Sequence, residues 1–155
     1  MSRVAAGVSS VFVDAHILIY SEDRADSTKQ AAALSWLGVL WQRGLGCVST
    51  QVLDEFYEVS TRKLKPPMPA GDARAEVRRY ALWQPWQLDQ ATVESAWAIE
   101  SRYGLPYTDS LVVAAAQHLG CRYLLSEGMP HEQLYGGVQV INPFKTSVEL
   151  LNNPL

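Results

Sequence analysis

Val11-Phe12-Val13-Asp14-Ala15-His16-Ile17-Leu18-Ile19-Tyr20 is the stretch that decides the fold. Three apolar residues run into one carboxylate, and a second apolar run follows with Ile17, Leu18 and Tyr20 near helical spacing. A strand covered on both faces shows a continuous apolar run rather than alternation, so Val11 to Val13 read as a short buried strand. Asp14 then stands at the carboxyl end of that strand, where open α/β sheets place their ligands. A carboxylate there is costly unless something pairs with it.

Working outward, the same alternation recurs. Ser27 to Arg43 reads as a helix with Ser27 as N-cap and a broad apolar face, ended by Gly44 and Gly46. Leu45 to Val48 is a second strand, and Thr50 is the expected N-cap of a helix reaching about Leu64. Lys65-Pro66-Pro67-Met68-Pro69 cannot continue a helix and makes a rigid connection. Gly71-Asp72 opens a helix ending near Trp83, with Arg74, Arg78 and Arg79 on an exposed side. Trp86 to Leu88 is a candidate strand, and Asp89 or Gln90 begins a helix toward Gly104. Thr108-Asp109 begins an apolar helix through His118, stopped by Gly120. Cys121 to Leu125 and Val138 to Ile141 are the last strands, separated by a polar loop from Ser126 to Gly137. Strands alternating with helices predict an α/β fold of three layers, α/β/α, around a mainly parallel central sheet of about five strands. Residues 1–145 form one domain, and 146–155 read as a loosely held C-terminal tail.

The bulk numbers agree. A chain of 155 residues with 48% hydrophobic and 19% charged residues suits one globular domain with a full core. A net charge of -3 argues against a protein that holds nucleic acid by bulk positive charge, though a local basic patch is compatible with it. Cys47 and Cys121 lie in apolar segments and read as buried free thiols in a reducing compartment. The N-terminus carries Arg3 and a small-residue run soon interrupted by Asp14, so neither a signal peptide nor a membrane span is expected. A cytoplasmic location follows as the expectation.

Four acids occupy comparable places: Asp14 after the first strand, Glu55 early in the next helix, Asp109 opening the last helix, and Glu127 after the strand that follows it. In an alternating α/β sheet these places can converge on one edge, where the carboxylates repel each other unless a cation intervenes. Oxygen-only ligands favour Mg²⁺ or Mn²⁺ over Zn²⁺. Such ions activate water and stabilise a phosphate under attack, which is why nucleases cluster acids. Each residue also has a plainer explanation. Asp14 suits a turn, Glu55 and Asp109 suit helix N-termini, and Glu127 suits a solvated loop. Asp54 would serve the helix dipole as well as Glu55, but Glu55 lies beside the apolar face. Thr50 and Ser126 can hydrogen-bond a ligating carboxylate, or simply cap. Arg62 and Lys63 can touch phosphates, or sit as a solvated helix end. His118 and His131 read as structural or solvated.

The chain resembles the PIN-domain ribonucleases, most closely the VapC-type toxins of bacterial toxin–antitoxin pairs. The matching stretches are residues 11–20, Ser49-Thr50-Gln51-Val52-Leu53-Asp54-Glu55-Phe56-Tyr57, Thr61-Arg62-Lys63, Tyr107-Thr108-Asp109-Ser110-Leu111-Val112-Val113-Ala114-Ala115-Ala116, Tyr123-Leu124-Leu125-Ser126-Glu127 and Val138-Gln139-Val140-Ile141-Asn142-Pro143-Phe144. Together they span nearly the whole chain in order. The resemblance implies Asp14, Glu55 and Asp109 as the acids that bind Mg²⁺ or Mn²⁺. It also implies RNA as substrate, hydrolysis by a metal-activated water with Glu127 in support, a small antitoxin protein as partner, and a possible homodimer. Two departures stand out. His16 replaces the usual Asn, and Gly128 replaces the usual fourth acid, leaving Glu127 or Glu132 to substitute. A catalytically weak binding module for RNA or an antitoxin is therefore the alternative. Phosphoryl transfer on Asp14 would want a second acid at His16.

Overall fold

The computed structural model describes residues 10–153, so Arg3 with its small-residue run and the last two residues lie outside it. Five strands form one sheet: β1 (Val11–Val13), β2 (Gly46–Cys47), β3 (Tyr123–Leu125), β4 (Leu134–Tyr135) and β5 (Val138–Ile141). Their order is β2-β1-β3-β5-β4, parallel throughout except where β4 pairs antiparallel with β5. The helices are α1 (Ala15–Tyr20), α2 (Ser27–Arg43), α3 (Thr50–Arg62), α4 (Ala70–Tyr80), α5 (Gln90–Tyr103) and α6 (Tyr107–His118).

β1 lies inside the sheet and is wholly buried, as its unbroken apolar run predicts. Phe12, Trp36, Phe56 and Leu124 are among the largest fully buried side chains of the continuous core around it. Burying each contributes about 1.5–3 kcal/mol, largely offset by ordering of the chain. Cys47 and Cys121 are buried thiols that form no disulfide. No helix among the described residues is long and apolar enough to cross a membrane.

The sheet register builds the site. Val13 pairs with Leu125, so the next residue on each strand, Asp14 and Ser126, emerge side by side. The Asp14 N–H donates to Leu125 O at 3.1 Å, and the Ser126 N–H to Ile141 O at 3.1 Å, pinning both strand exits.

The fifth strand is not the expected one. Trp86 forms only an isolated bridge to Ser49, through Trp86 N–H to Val48 O and Thr50 N–H to Trp86 O, each 3.0 Å. Asp89 caps α5 three residues later, which leaves no length for a ladder. The fifth strand is β4, inside the stretch read as a polar loop. The two glycines Gly136-Gly137 turn it back onto β5, with Gly136 at φ 62°, a conformation that suits glycine.

Smaller corrections concern ends. Asp26 rather than Ser27 caps α2, its side chain accepting from Lys29 N–H, and Ser49 rather than Thr50 caps α3, accepting from Val52 N–H. α3 stops at Arg62, and α4 at Tyr80, with a short 3-10 turn over Ala81–Trp83. The stretch after Phe144 is held rather than loose. Thr146 O accepts from Trp36 Nε1 at 3.1 Å, and the 3-10 turn Val148–Asn152 buries Leu151.

Candidate active site

Asp14 is 5% exposed and caps α1 from the end of β1. Its Oδ1 accepts from Ala15 N–H at 2.8 Å and its Oδ2 from Ser126 Oγ at 3.2 Å. Each carboxylate oxygen offers two lone pairs, so both oxygens are oriented and each keeps capacity for a further partner. His16 Nδ1 lies 3.7 Å from Oδ2, an electrostatic approach too long for a hydrogen bond.

Two more acids face Asp14 from other elements. Glu55 stands on α3 as an exposed residue whose carboxyl is nonetheless partly desolvated. Asp109 sits half-buried in the first turn of α6, near the positive end of that helix. Gln51, in the first turn of α3, donates through Nε2 to Thr108 O at 3.2 Å and so ties the two helix starts together. Burial, and then the negative charge of Asp14, hold both carboxyls above the ordinary range. Asp109 adds to the effect at Glu55, where Lys63 opposes it. The three acids therefore share one electrostatic neighbourhood with little cationic relief.

Among the described residues, no three His, Cys, Asp or Glu side chains stand close enough together to enclose a metal ion. A closed cage is not required of Mg²⁺, which keeps several waters and takes one or two carboxylates. An all-oxygen donor set with uncompensated charge, anchored on an oriented Asp14, fits such a cation.

Ser126 is where it was expected, bonded to Asp14, whereas Thr50 is tied in through its backbone N–H to Trp86 O. Arg62 and Lys63 are exposed, and Lys63 acts electrostatically on Glu55. Glu127 turns to a different partner. Its carboxylate pairs with Lys29 Nζ and accepts from Tyr20 OH at 2.7 Å, while its backbone N–H donates to His16 Nε2 at 2.9 Å. Glu132 is exposed, with φ 68°, and lies 3.3 Å from His131 Nε2. Gly128 is exposed at an unstrained φ, and a Cβ added there meets nothing within 4 Å. His118 stacks on Trp86 with ring centroids 5.4 Å apart, and His131 Nδ1 accepts from Asn142 N–H at 3.0 Å; both are structural.

Lys29, Tyr20 and Gln51 were not foreseen. The Lys29–Glu127 contact spans 98 residues, and no local spacing announces it.

The family model of the PIN domain matches residues 11–129. Among solved structures, that of Mycobacterium tuberculosis VapC20, a toxin that cleaves the sarcin–ricin loop, is similar with a TM-score of 0.59. It is 20% identical, over 74% of this chain and 87% of that one, so the likeness is one of fold. No curated protein matches.

Proposed function

Because the chain belongs to the PIN domain family, we propose that it is a metal-dependent endoribonuclease, the toxin of a pair whose other member is a small antitoxin protein. The observation that carries this reading is the shared neighbourhood of Asp14, Glu55 and Asp109. Three acids, from the exit of β1, α3 and α6, keep a mutual repulsion that no lysine or arginine salt bridge among the described residues removes. Asp14, Glu55 and Asp109 are the residues assigned to hold Mg²⁺ or Mn²⁺. When bound, such an ion supplies a Lewis acid for the phosphate and lowers the pKa of water.

The chain's own residues prepare that step. Ala15 N–H and Ser126 Oγ fix the Asp14 carboxylate from one side. Glu55 and Asp109 bring charge from two helices whose starts Gln51 links. Arg62 and Lys63, exposed at the end of α3, are assigned to RNA phosphates. VapC20 is a toxin that cleaves the sarcin–ricin loop, so that loop is the first substrate to try.

Purified chain free of any antitoxin should cut RNA with Mg²⁺ or Mn²⁺. Asp14→Asn and EDTA should each abolish the cutting. Cleavage that survives both overturns the proposal. The second reading, a binding module with little activity, is favoured by Gly128 and by the engagement of Glu127 with Lys29. It expects tight binding of RNA or an antitoxin without metal-dependent cleavage.

A further inference from the structure

Glu127 sits beside the empty corner at Gly128, yet its carboxylate belongs to a clamp. Lys29 Nζ pairs with it, lies 3.3 Å from Tyr20 OH, and stands over the rings of Tyr20 and Phe144 at 4.9 and 5.1 Å. Those two rings meet edge to face with centroids 5.2 Å apart. The four side chains come from α2, α1, the loop after β3 and the segment after β5. An isolated surface ion pair constrains little. Here the ammonium is seated against two rings and a hydroxyl, and both charged side chains are only 31% exposed. The Glu127 side chain thus has one place to go, and its backbone is fixed with it.

That backbone meets the site. The Glu127 N–H donates to His16 Nε2 at 2.9 Å. A ring nitrogen that accepts a hydrogen bond carries no proton, so the ring proton is on Nδ1. Nδ1 is the nitrogen that faces Asp14 Oδ2. The partner of one imidazole nitrogen thereby sets what the other presents to the carboxylate.

We infer that Lys29 is a positioning residue for Asp14: by clamping Glu127 it locks His16 in the Nδ1–H tautomer, which directs an N–H dipole at the Asp14 carboxylate. In this arrangement Glu127 is an anchor rather than a replacement for the acid absent at Gly128. The inference rests on the proposed function only for what Asp14 does once oriented.

The test uses the full chain in two states. Nitrogen-15 NMR of the imidazoles in metal-free protein reads the His16 tautomer, and Mn²⁺ titration followed by electron paramagnetic resonance reads the site. Wild type should show His16 as the Nδ1–H tautomer. Lys29→Met should give a tautomer mixture and Mn²⁺ affinity about tenfold weaker, in the range seen when an outer partner of a metal ligand is lost. Lys29→Arg should restore both. Glu127→Gln, which keeps size and the Tyr20 contact but loses the charge, should shift the tautomer in the same direction, and carries the test should Lys29→Met fail to fold. A single Nδ1–H tautomer with wild-type Mn²⁺ affinity in both Lys29→Met and Glu127→Gln overturns the inference. Asp14→Asn separates the two failures. Its loss of Mn²⁺ binding supports the site reading, whereas wild-type binding in that variant overturns the proposed function itself.

Discussion

Two groups of carboxylates stand at the same edge of the sheet under opposite conditions. Glu127 is compensated. Its partial burial pushes the carboxyl up, but hydrogen bonds from Lys29 and Tyr20, with the charge of Lys29, hold it below the ordinary range. Glu55 and Asp109 are the reverse, held above that range by burial and by the charge of Asp14. Glu127 has a lysine to itself, whereas Glu55 and Asp109 feel the negative charge of Asp14. Uncompensated charge is a cost to the fold, and it persists where a cation or substrate is to relieve it. The contrast separates acids that organise the site from acids that would do its chemistry, a distinction residue type alone does not make.

The strongest way to break this contrast is Asp14→Asn, which should lower RNA cleavage about 100-fold or more in single-turnover assays, as loss of several kcal/mol of transition-state stabilisation requires. Retained activity would place the chemistry elsewhere. Acid comes next. As pH falls into the raised range of Glu55 and Asp109, protons compete with the cation, and Mn²⁺ affinity should drop about tenfold per pH unit for each proton displaced. Calorimetric affinities that stay flat across that window would remove the two acids from the site. Gly128→Asp should then sharpen the picture. The position is open and unstrained, so an acid there should tighten Mn²⁺ binding severalfold, the effect of one added carboxylate ligand. An unchanged affinity would mean that this corner does not face the ion.

The smallest effect has the most specific sign. Raised carboxyls bind more protons in the native than in the unfolded chain, so Glu55 and Asp109 cost stability progressively as pH rises from the ordinary carboxylate range through their raised values. Glu127, with its lowered carboxyl, contributes stability above its unfolded value that is lost as pH falls through the folded one. At neutral pH and without metal, Asp109→Asn or Glu55→Gln should therefore raise the melting temperature, and Glu127→Gln should lower it. A solvent-screened charge contact is worth about 0.5 kcal/mol, or about 1–2 °C in a chain of this size. Equal signs in differential scanning fluorimetry would erase the distinction between the two groups.

Much of the architecture was legible because burial writes itself into local pattern. The apolar run Val11–Val13 reads as an inside strand, and Gly44, Gly104 and Gly120 mark helix ends with positive φ. Asp14 and Asp109 stand at a strand end and a helix start, the places where an α/β sheet turns toward one edge. Trp86 misled because a strand needs a partner edge and length, and the cap of α5 at Asp89 leaves too little of it. The Gly136-Gly137 pair was a hairpin signal passed over in a stretch whose polarity suggested only a loop. Caps slipped by one residue at Asp26 and Ser49, because adjacent side chains of equal capping ability differ only in which one the backbone lets reach the N–H.

By itself, then, the sequence determined the alternating elements, the buried strand, and Asp14 and Asp109 at a strand exit and a helix start, with Glu55 farther along α3. These depend on periodicity and on short-range backbone chemistry. Only the tertiary structure decided that Glu127 would answer to Lys29 and Tyr20, that His16 would take its hydrogen bond from the Glu127 backbone, and that Gln51 would join α3 to α6. Charge compensation depends on distance in space, and residues 98 positions apart become neighbours only when the sheet sets its register.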